Sequence, residues 1–304
     1  MNPGRLGLIH ETVRAVPRLA LALVALAIAA AMPLQAQEGQ LERISFPSAD
    51  GRTELVGYLF KPDTATAARP AAAVVMMHGR AGAYSSTATS FDAAHLALRH
   101  SFWGQEWARS GRIALLVDGF GPRGYPRGFP RGSYEDRPAE LNEVTVRPLD
   151  AYGALAYLRS RSDVRADAIG LQGWSNGGSA TISAIDAATP GIVRPTPSSG
   201  FRAALAFYPA CGLKGLLAQR AFKPYAPTLV LHGSSDEEVS PSRCQALVEK
   251  SRVEGGDVAF VLYPGATHGF DSPARSRQRV EANAQAMADA VVRARAHFDR
   301  YLPP

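Results

Sequence analysis

The sequence has few cysteines, little net charge and few long apolar runs, and each of these features excludes some classes of function. Neither of its two cysteines lies in a CxxC pair or a cluster with metal-ligand spacing, so we expect no metal, and no motif indicates a cofactor. The formal net charge of +6 is small and scattered, which argues against nucleic acid as a partner. No linker-like segment or domain-sized repeat follows residue 40, so residues 37–304 are predicted to form a single domain.

One apolar run approaches membrane length, Leu19–Met32, and it is too short for a comfortable bilayer span. Arg5, Arg14 and Arg18 precede it, and small and polar residues follow. A basic N-terminal region, a short apolar stretch and small residues at its C-terminal end are typical of a secretory signal. We therefore predict a signal peptide over residues 1–36 and a periplasmic or secreted protein without stable membrane insertion; the alternative is an uncleaved anchor.

The two cysteines, Cys211 and Cys244, lie in the C-terminal third of the chain. In an oxidising compartment an even number of cysteines favours a disulfide, and the alternative is two buried free thiols. Nothing in the sequence indicates the oligomeric state.

A Gly-Trp-Ser-Asn-Gly motif centred on Ser175 follows an apolar run and precedes a run of small residues. In a strand–turn–helix setting this motif predicts a nucleophile elbow, whereas a chance glycine-serine turn is the alternative. Gly173 and Gly177 suit a turn in which strand and helix nearly touch. The elbow would lift the Ser175 hydroxyl above the sheet edge, beside helix N–H groups that favour developing negative charge.

Short apolar strands alternate with helices through most of the chain, after an N-terminal pair of strand-like runs. This order predicts an α/β fold with a mostly parallel, doubly wound sheet and an N-terminal antiparallel hairpin. Long helices are expected over residues 91–110 and 274–302. Ligands bind beyond the carboxyl ends of such strands. The chemically interesting residues all fall at these ends: His78, Asp118, Ser175, Asp236 and His268.

Three histidines follow Ser175 and could serve as its general base. His268 lies in a glycine-flanked loop after the last strand, which is the usual position of this base. His232 ends a strand and is predicted to be structural. His297 lies within the closing helix and is predicted to be a surface or packing residue. We therefore predict His268 as the base.

An acid must orient that histidine, and two N–H donors must hold the oxyanion. Asp236 is the first acidic residue in the turn that follows the strand before the histidine loop, and it is the predicted acid. The two glutamates that follow it, Glu237 and Glu238, are alternatives. One oxyanion donor should be the backbone N–H of Asn176. The other should be the backbone N–H of Arg80, with Ala81 as the alternative.

These motifs together resemble the α/β-hydrolase fold and, within it, the dienelactone hydrolase family, over roughly residues 40–302. The resemblance implies that Ser175, Asp236 and His268 form a catalytic triad. It departs at one point, since the founding members use a cysteine where this chain has Ser175, and serine favours ordinary esters and lactones. The motifs that carry the resemblance are His78-Gly-x-x-Gly82, residues 118–124 and 173–178, Tyr208-Pro-Ala-Cys211, residues 233–241, and Tyr263-Pro-Gly-Ala-x-His268.

The family binds an anionic substrate group through arginine near the loop after the fourth strand, which implies a substrate contact for Arg123. The alternative is that Arg123, Arg127 and Arg131 form a solvated basic loop, because Pro-Arg-Gly recurs three times between residues 121 and 134. This segment must be a surface loop and is a candidate lid. Trp174, beside the nucleophile, is the second predicted substrate contact. The cysteine pair resembles one in secreted-type relatives, which favours the disulfide.

The sequence therefore predicts a serine hydrolase that cleaves a small carboxylic ester or lactone through an acyl-enzyme. One alternative is a serine peptidase of the prolyl-oligopeptidase type. The other is a hydrolase-like fold used for binding without catalysis.

Overall fold

A computed structural model describes residues 40–215 and 220–303 of the chain. Within them lies an eight-stranded sheet with the strand order β1-β2-β4-β3-β5-β6-β7-β8. The predicted signal peptide, residues 1–36, lies outside the described residues. The strands are β1 Gln40–Pro47, β2 Glu54–Lys61, β3 Ala71–Met77, β4 Ile113–Asp118, β5 Val164–Trp174, β6 Ala204–Phe207, β7 Thr228–Gly233 and β8 Val258–Tyr263.

Strand direction follows the predicted pattern. β1 and β2 form an antiparallel hairpin, and β2 also pairs with β4 in antiparallel fashion. The six strands from β3 to β8 run parallel to one another. The mostly parallel sheet with an N-terminal antiparallel hairpin is thus confirmed, and it places the carboxyl ends of β3, β5, β6, β7 and β8 along one edge.

The helices are divided between the two faces of the sheet. On β3, Ala73, Val75 and Met77 belong to a core shared with the second, third and fourth helices. The intervening Val74 and Met76 point into the opposite core, which the first and last helices cover. The helices are α1 Leu98–Arg109, α2 Arg147–Ser160, α3 Asn176–Ile185, α4 Pro241–Val253, α5 Arg275–Gln278 and α6 Glu281–Tyr301.

Two predicted helices are shorter than the sequence pattern suggested. In the stretch 91–110, Asp92 caps a 3₁₀ turn by accepting the Ala94 N–H at 2.9 Å, and the α-helix begins only at Leu98. Such local side-chain bonds compete with helix formation. The closing segment is divided between α5 and α6, because Val280 between them is extended (φ −81°, ψ 111°). No helix in the described part of the chain is long and apolar enough to cross a membrane.

Candidate active site

Ser175 stands at a strained turn between β5 and α3. Its φ of 53° and ψ of −117° are unusual for a residue with a side chain, and its N–H donates to the Phe207 carbonyl at 2.9 Å. The strand and helix approach so closely that a Cβ added at Gly173 would lie 2.2 Å from the Gly177 carbonyl oxygen. The local structure is therefore the strand, tight turn and helix that the motif predicted, with glycine required at its closest contact.

The structure brings the three predicted triad residues together. His268 Nε2 lies 3.0 Å from Ser175 Oγ, and His268 Nδ1 lies 2.8 Å from Asp236 Oδ2. The other oxygen of Asp236 accepts the backbone N–H groups of Glu238 and Val239, each at 2.9 Å. Burial raises the pKa of Asp236, but the bonds from His268 and these two N–H groups outweigh it and hold the pKa below its usual value. Asp236 is thus an anion that can fix the orientation of the His268 ring.

The two other histidines have structural surroundings. His232 is fully buried at the end of β7, with Nδ1 3.2 Å from the Gly233 carbonyl, and burial lowers its pKa. His297 packs against Phe298 and Tyr301 on α6. Neither is hydrogen-bonded to Ser175, whose imidazole partner is His268.

The loop after β3 lies directly against the nucleophile. A Cβ added at Gly79 would lie 3.3 Å from the Cβ of Ser175. The next residue, Arg80, is fixed twice to Phe129: its carbonyl accepts the Phe129 N–H at 2.8 Å, and its Nη1 donates to the Phe129 carbonyl at 2.9 Å. The backbone of Arg80, the predicted oxyanion donor, is therefore held next to Ser175 by both its main chain and its side chain.

The Arg80 guanidinium also binds Glu238, through Nε at 2.8 Å and Nη2 at 2.9 Å. Glu238 is almost fully buried, and its Oε2 lies 3.8 Å from His268 Nε2. Although burial raises the pKa of Glu238, the Arg80 bond and the nearby His268 lower it to about 2. Glu237 accepts the His268 backbone N–H at 2.9 Å. The two glutamates considered as alternatives to Asp236 thus lie in the site but contact other groups.

Asn176 begins α3, so its backbone N–H has no acceptor within the helix and is free to face the cleft. Its side chain is held by two buried residues that the sequence did not single out. Arg147 Nη1 donates to Asn176 Oδ1 at 2.6 Å and to the His78 carbonyl at 2.8 Å, while Asn176 Nδ2 donates to Glu143 at 3.3 Å. Burial lowers the pKa of Arg147 to about 10. No sequence motif indicates this arginine, because its two hydrogen-bond partners come from two distant segments of the chain.

A cleft of about 750 Å³ opens above Ser175 and Asn176. Part of the loop with the Pro-Arg-Gly repeats forms one wall, residues 210–214 form another, and residues 238–243 form a third. Arg137, Lys214 and Arg243 line it without a carboxylate within ion-pair distance among the described residues. The cleft is thus large enough for a small molecule and has an excess of positive charge.

The predicted substrate contacts of Arg123 and Trp174 require correction. The Arg123 guanidinium is buried, and it binds both oxygens of Asp150 at 2.8 and 2.9 Å and Asp50 at 2.9 Å. The Trp174 indole is fully buried and donates to Asp271 at 2.7 Å. Neither side chain lines the cleft, and both make buried hydrogen bonds inside the fold instead.

The other two arginines of the repeats also have defined partners. Arg127 packs over the Phe91 ring, with 5.2 Å from Cζ to the ring centroid. Arg131 is half-exposed in the cleft wall and pairs with Glu237 and Glu238, each at 3.1 Å. The loop is therefore a wall of the cleft, and its three arginines have different environments.

Cys211 and Cys244 form the predicted disulfide, which joins the end of the β6 segment to α4. No group of three His, Cys, Asp or Glu side chains in residues 40–215 and 220–303 is arranged to hold a metal ion.

This sheet order, with a strained serine after β5 and an acid and a histidine after later strands, defines the α/β-hydrolase fold. A model of the dienelactone hydrolase family matches residues 138–302, and the chain belongs to that family. Comparison with curated proteins gives no match.

Solved structures show the same fold. A structure from Klebsiella pneumoniae assigned to the dienelactone hydrolases has a TM-score of 0.62 at 18% identity, covering 86% of this chain and 99% of that one. A thermophilic esterase from Thermogutta terrifontis has a TM-score of 0.60 at 20% identity, covering 90% and 98%. A structure from Bacteroides ovatus assigned as a dipeptidyl aminopeptidase IV has a TM-score of 0.59 at 19% identity, covering 87% of this chain but 36% of that one.

Proposed function

We propose that the protein is a serine hydrolase that cleaves a carboxylic ester or lactone through an acyl-enzyme. The observation that carries this proposal is the continuous chain from Ser175 Oγ to His268 Nε2, 3.0 Å, and from His268 Nδ1 to Asp236 Oδ2, 2.8 Å. A hydroxyl, a base and an orienting acid in this geometry constitute an activated nucleophile. The family and the esterase from Thermogutta terrifontis support the choice of ester hydrolysis.

In the proposed mechanism, His268 takes the proton from Ser175 Oγ as the oxygen attacks the substrate carbonyl. Asp236 keeps the ring in the orientation that leaves Nε2 facing Ser175 and stabilises the imidazolium. His268 then protonates the leaving alcohol, and the acyl group stays on Ser175. A water molecule then gives a proton to His268 as its oxygen attacks the acyl carbon. The bond from that carbon to Ser175 Oγ breaks, the acid leaves, and His268 returns the proton to Ser175.

The developing oxyanion would be held by the backbone N–H groups of Asn176 and Arg80, with Ala81 as the alternative second donor. The position of Asn176 at the first turn of α3 supports the first donor, because that N–H has no helical acceptor. The contact of residue 79 with Ser175 supports the second, because it places the following amide beside the nucleophile. Loss of one such donor typically costs about a hundred- to a thousandfold in rate.

We further propose that the protein acts in the periplasm or outside the cell. The disulfide between Cys211 and Cys244 supports an oxidising compartment, where such bonds persist. The basic and apolar pattern of residues 1–36 supports export.

Peptide hydrolysis is the second candidate, because the matched structure from Bacteroides ovatus is assigned as a peptidase. Its matched part is about a third of that protein, so the chain corresponds to a single portion of it. Turnover of a p-nitrophenyl ester, compared with that of an aminoacyl p-nitroanilide, separates the two activities. We expect the ester to be cleaved and the anilide to remain intact.

The decisive experiment compares Ser175→Ala with Ser183→Ala on a panel of esters and lactones. Ser183 is a matched control, since it is a buried serine on the same helix whose hydroxyl has no hydrogen-bond partner in the described structure. We expect Ser175→Ala to lose at least about a thousandfold in kcat and to resist a fluorophosphonate probe, while Ser183→Ala keeps both. Full activity in Ser175→Ala would refute the serine mechanism, and an unlabelled, inactive wild type would favour a binding protein.

A further inference from the structure

Asp271 is a fully buried carboxylate that accepts hydrogen bonds from four side chains. The indole N–H groups of Trp103 and Trp174 donate to Oδ2 at 2.8 and 2.7 Å. The Tyr208 hydroxyl and Arg99 Nε donate to Oδ1 at 2.5 and 3.1 Å. These donors satisfy the buried charge, and Arg99 balances it. None of the five side chains lines the cleft, so the cluster lies beneath the site rather than in it.

Three members of this cluster, Trp174, Tyr208 and Asp271 itself, lie next to different parts of the triad. Trp174 directly precedes Ser175, so its indole fixes the end of β5 from which the nucleophile turns. Tyr208, directly after β6, packs its ring against the His268 ring with 4.5 Å between centroids. Asp271 itself lies three residues after His268, in the loop that carries the base. The Asp271 carboxylate thus connects the strand end before Ser175, the loop that carries His268 and the tyrosine ring against which His268 packs.

Arg99 attaches the same loop at a second point. Its Nη2 donates to the Gly269 carbonyl at 3.3 Å, while its Nε binds Asp271. Gly269 has a φ of +76°, and a Cβ there would lie 2.5 Å from Arg99 Nη2. The loop from His268 to Asp271 is therefore held against α1 at two residues, which leaves the base little freedom to move.

We propose that Asp271 is a positioning residue that sets the separation of Ser175 and His268 by bonding Trp174 and Tyr208 at once. This inference rests on the proposed function. The site favours a charged carboxylate, because Trp103, Trp174 and Arg99 can only donate and a neutral amide would turn an N–H group toward at least one of them. The effect reaches the reaction through geometry, since a shift of about 1 Å in a reacting group can cost about a hundredfold in rate.

The first test is Asp271→Asn, with Asp186→Asn as the matched control. Asp186 is also a buried aspartate paired with an arginine, Arg220 at 2.8 Å, and it caps the far end of α3. We expect Asp271→Asn to lower kcat by about a hundredfold with KM within about twofold, because the cleft is untouched. Asp186→Asn should keep kcat even where its thermal midpoint falls.

A second pair of variants keeps the carboxylate and removes one donor each. Trp174→Phe removes the bond next to Ser175, whereas Trp103→Phe removes the equivalent bond to the same oxygen from α1. A positioning role predicts that Trp174→Phe lowers kcat at least about fivefold more than Trp103→Phe, although both lose one charge-assisted bond. A purely structural role predicts similar losses of stability and equal kcat values. This comparison decides the question even if Asp271→Asn does not fold.

Equal kcat values for the two tryptophan variants, or an unchanged kcat in folded Asp271→Asn, would overturn the inference. Its failure is distinguishable from failure of the proposed function. If Ser175→Ala is inactive while Asp271→Asn keeps the wild-type kcat, the serine mechanism stands and only the role of Asp271 falls.

Discussion

The disulfide permits a prediction whose magnitude follows from its place in the chain. Cys211 lines the cleft after β6, and Cys244 lies in α4, the helix that follows the loop bearing Asp236. The bond therefore closes a loop that includes β7 and the predicted acid. Removing it should lower the stability of the fold by relaxing the unfolded chain rather than by altering the triad directly.

The bond spans a sequence separation of 33 residues. For a loop of this length, the chain-entropy relation gives about 12.5 cal/mol/K, or about 3.7 kcal/mol at 25 °C. For a domain of this size, each kcal/mol corresponds to about 2 °C in the melting temperature, so we expect a decrease of about 7 °C. Since natural domains are stable by about 5–15 kcal/mol, the variant should still fold at 25 °C.

The assay is thermal unfolding of the wild-type protein, oxidised and reduced, and of the double variant Cys211→Ala/Cys244→Ala. Reduced wild type separates the cross-link from packing, because both sulfurs remain in place. The double variant is the control for the reductant, since the sequence has no other cysteine and reduction should leave its melting temperature unchanged. A reduced protein that melts within about 2 °C of the oxidised one would refute the entropic argument.

Two further predictions concern charge near the site. The pKa of Glu238 is about 2 in the fold, against an ordinary value of 4.5, so its ionised form should add stability that is present above pH 4.5 and lost as the pH falls toward 2. The free energy of unfolding in urea should therefore change less with pH in this window for Glu238→Gln than for the wild type. An identical pH dependence would contradict the Arg80 pairing. The cations that line the cleft without an ion-pair partner should favour substrates with an anionic group. The kcat/KM for a carboxylate-bearing aryl ester should exceed that for its neutral analogue and should fall with added salt. Arg243→Ala should reduce the difference in kcat/KM between the two esters. Equal salt dependence for both esters would contradict this charge preference.

Most of the fold could be predicted from local patterns. Buried parallel strands are short continuous apolar runs, and their alternation with helices indicates a doubly wound sheet. The hairpin was visible because a turn separates two strand-like runs, now β1 and β2. The helix predicted over residues 91–110 begins later than expected, because periodicity alone does not reveal that the Asp92 side chain caps a separate 3₁₀ turn before Leu98.

Proximity of the triad side chains could also be predicted, because each of the three lies just after its own strand. Parallel strands bring their carboxyl ends to one edge of the sheet. Residues that follow three different strands can therefore be predicted to lie close together without knowing any contact between distant parts of the chain. The environment of Arg123, in contrast, could not be predicted from the sequence. It lies in the first of three near-identical Pro-Arg-Gly units, and the partners that bury it are Asp50 and Asp150. No local pattern separates it from Arg131, which remains in the cleft wall.

The loop after β7 shows how a local ambiguity is resolved by the fold. Asp236, Glu237 and Glu238 are all candidates for one role in the sequence, yet each makes a different contact in the site. Asp236 binds the His268 ring, Glu237 accepts the His268 backbone N–H, and Glu238 binds Arg80. Successive residues of a tight turn point in different directions, so three adjacent acids can reach three groups. The turn that orients the proposed base is therefore also joined to the proposed oxyanion donor, and a change at Glu238 should reach the Arg80 amide through a single ion pair.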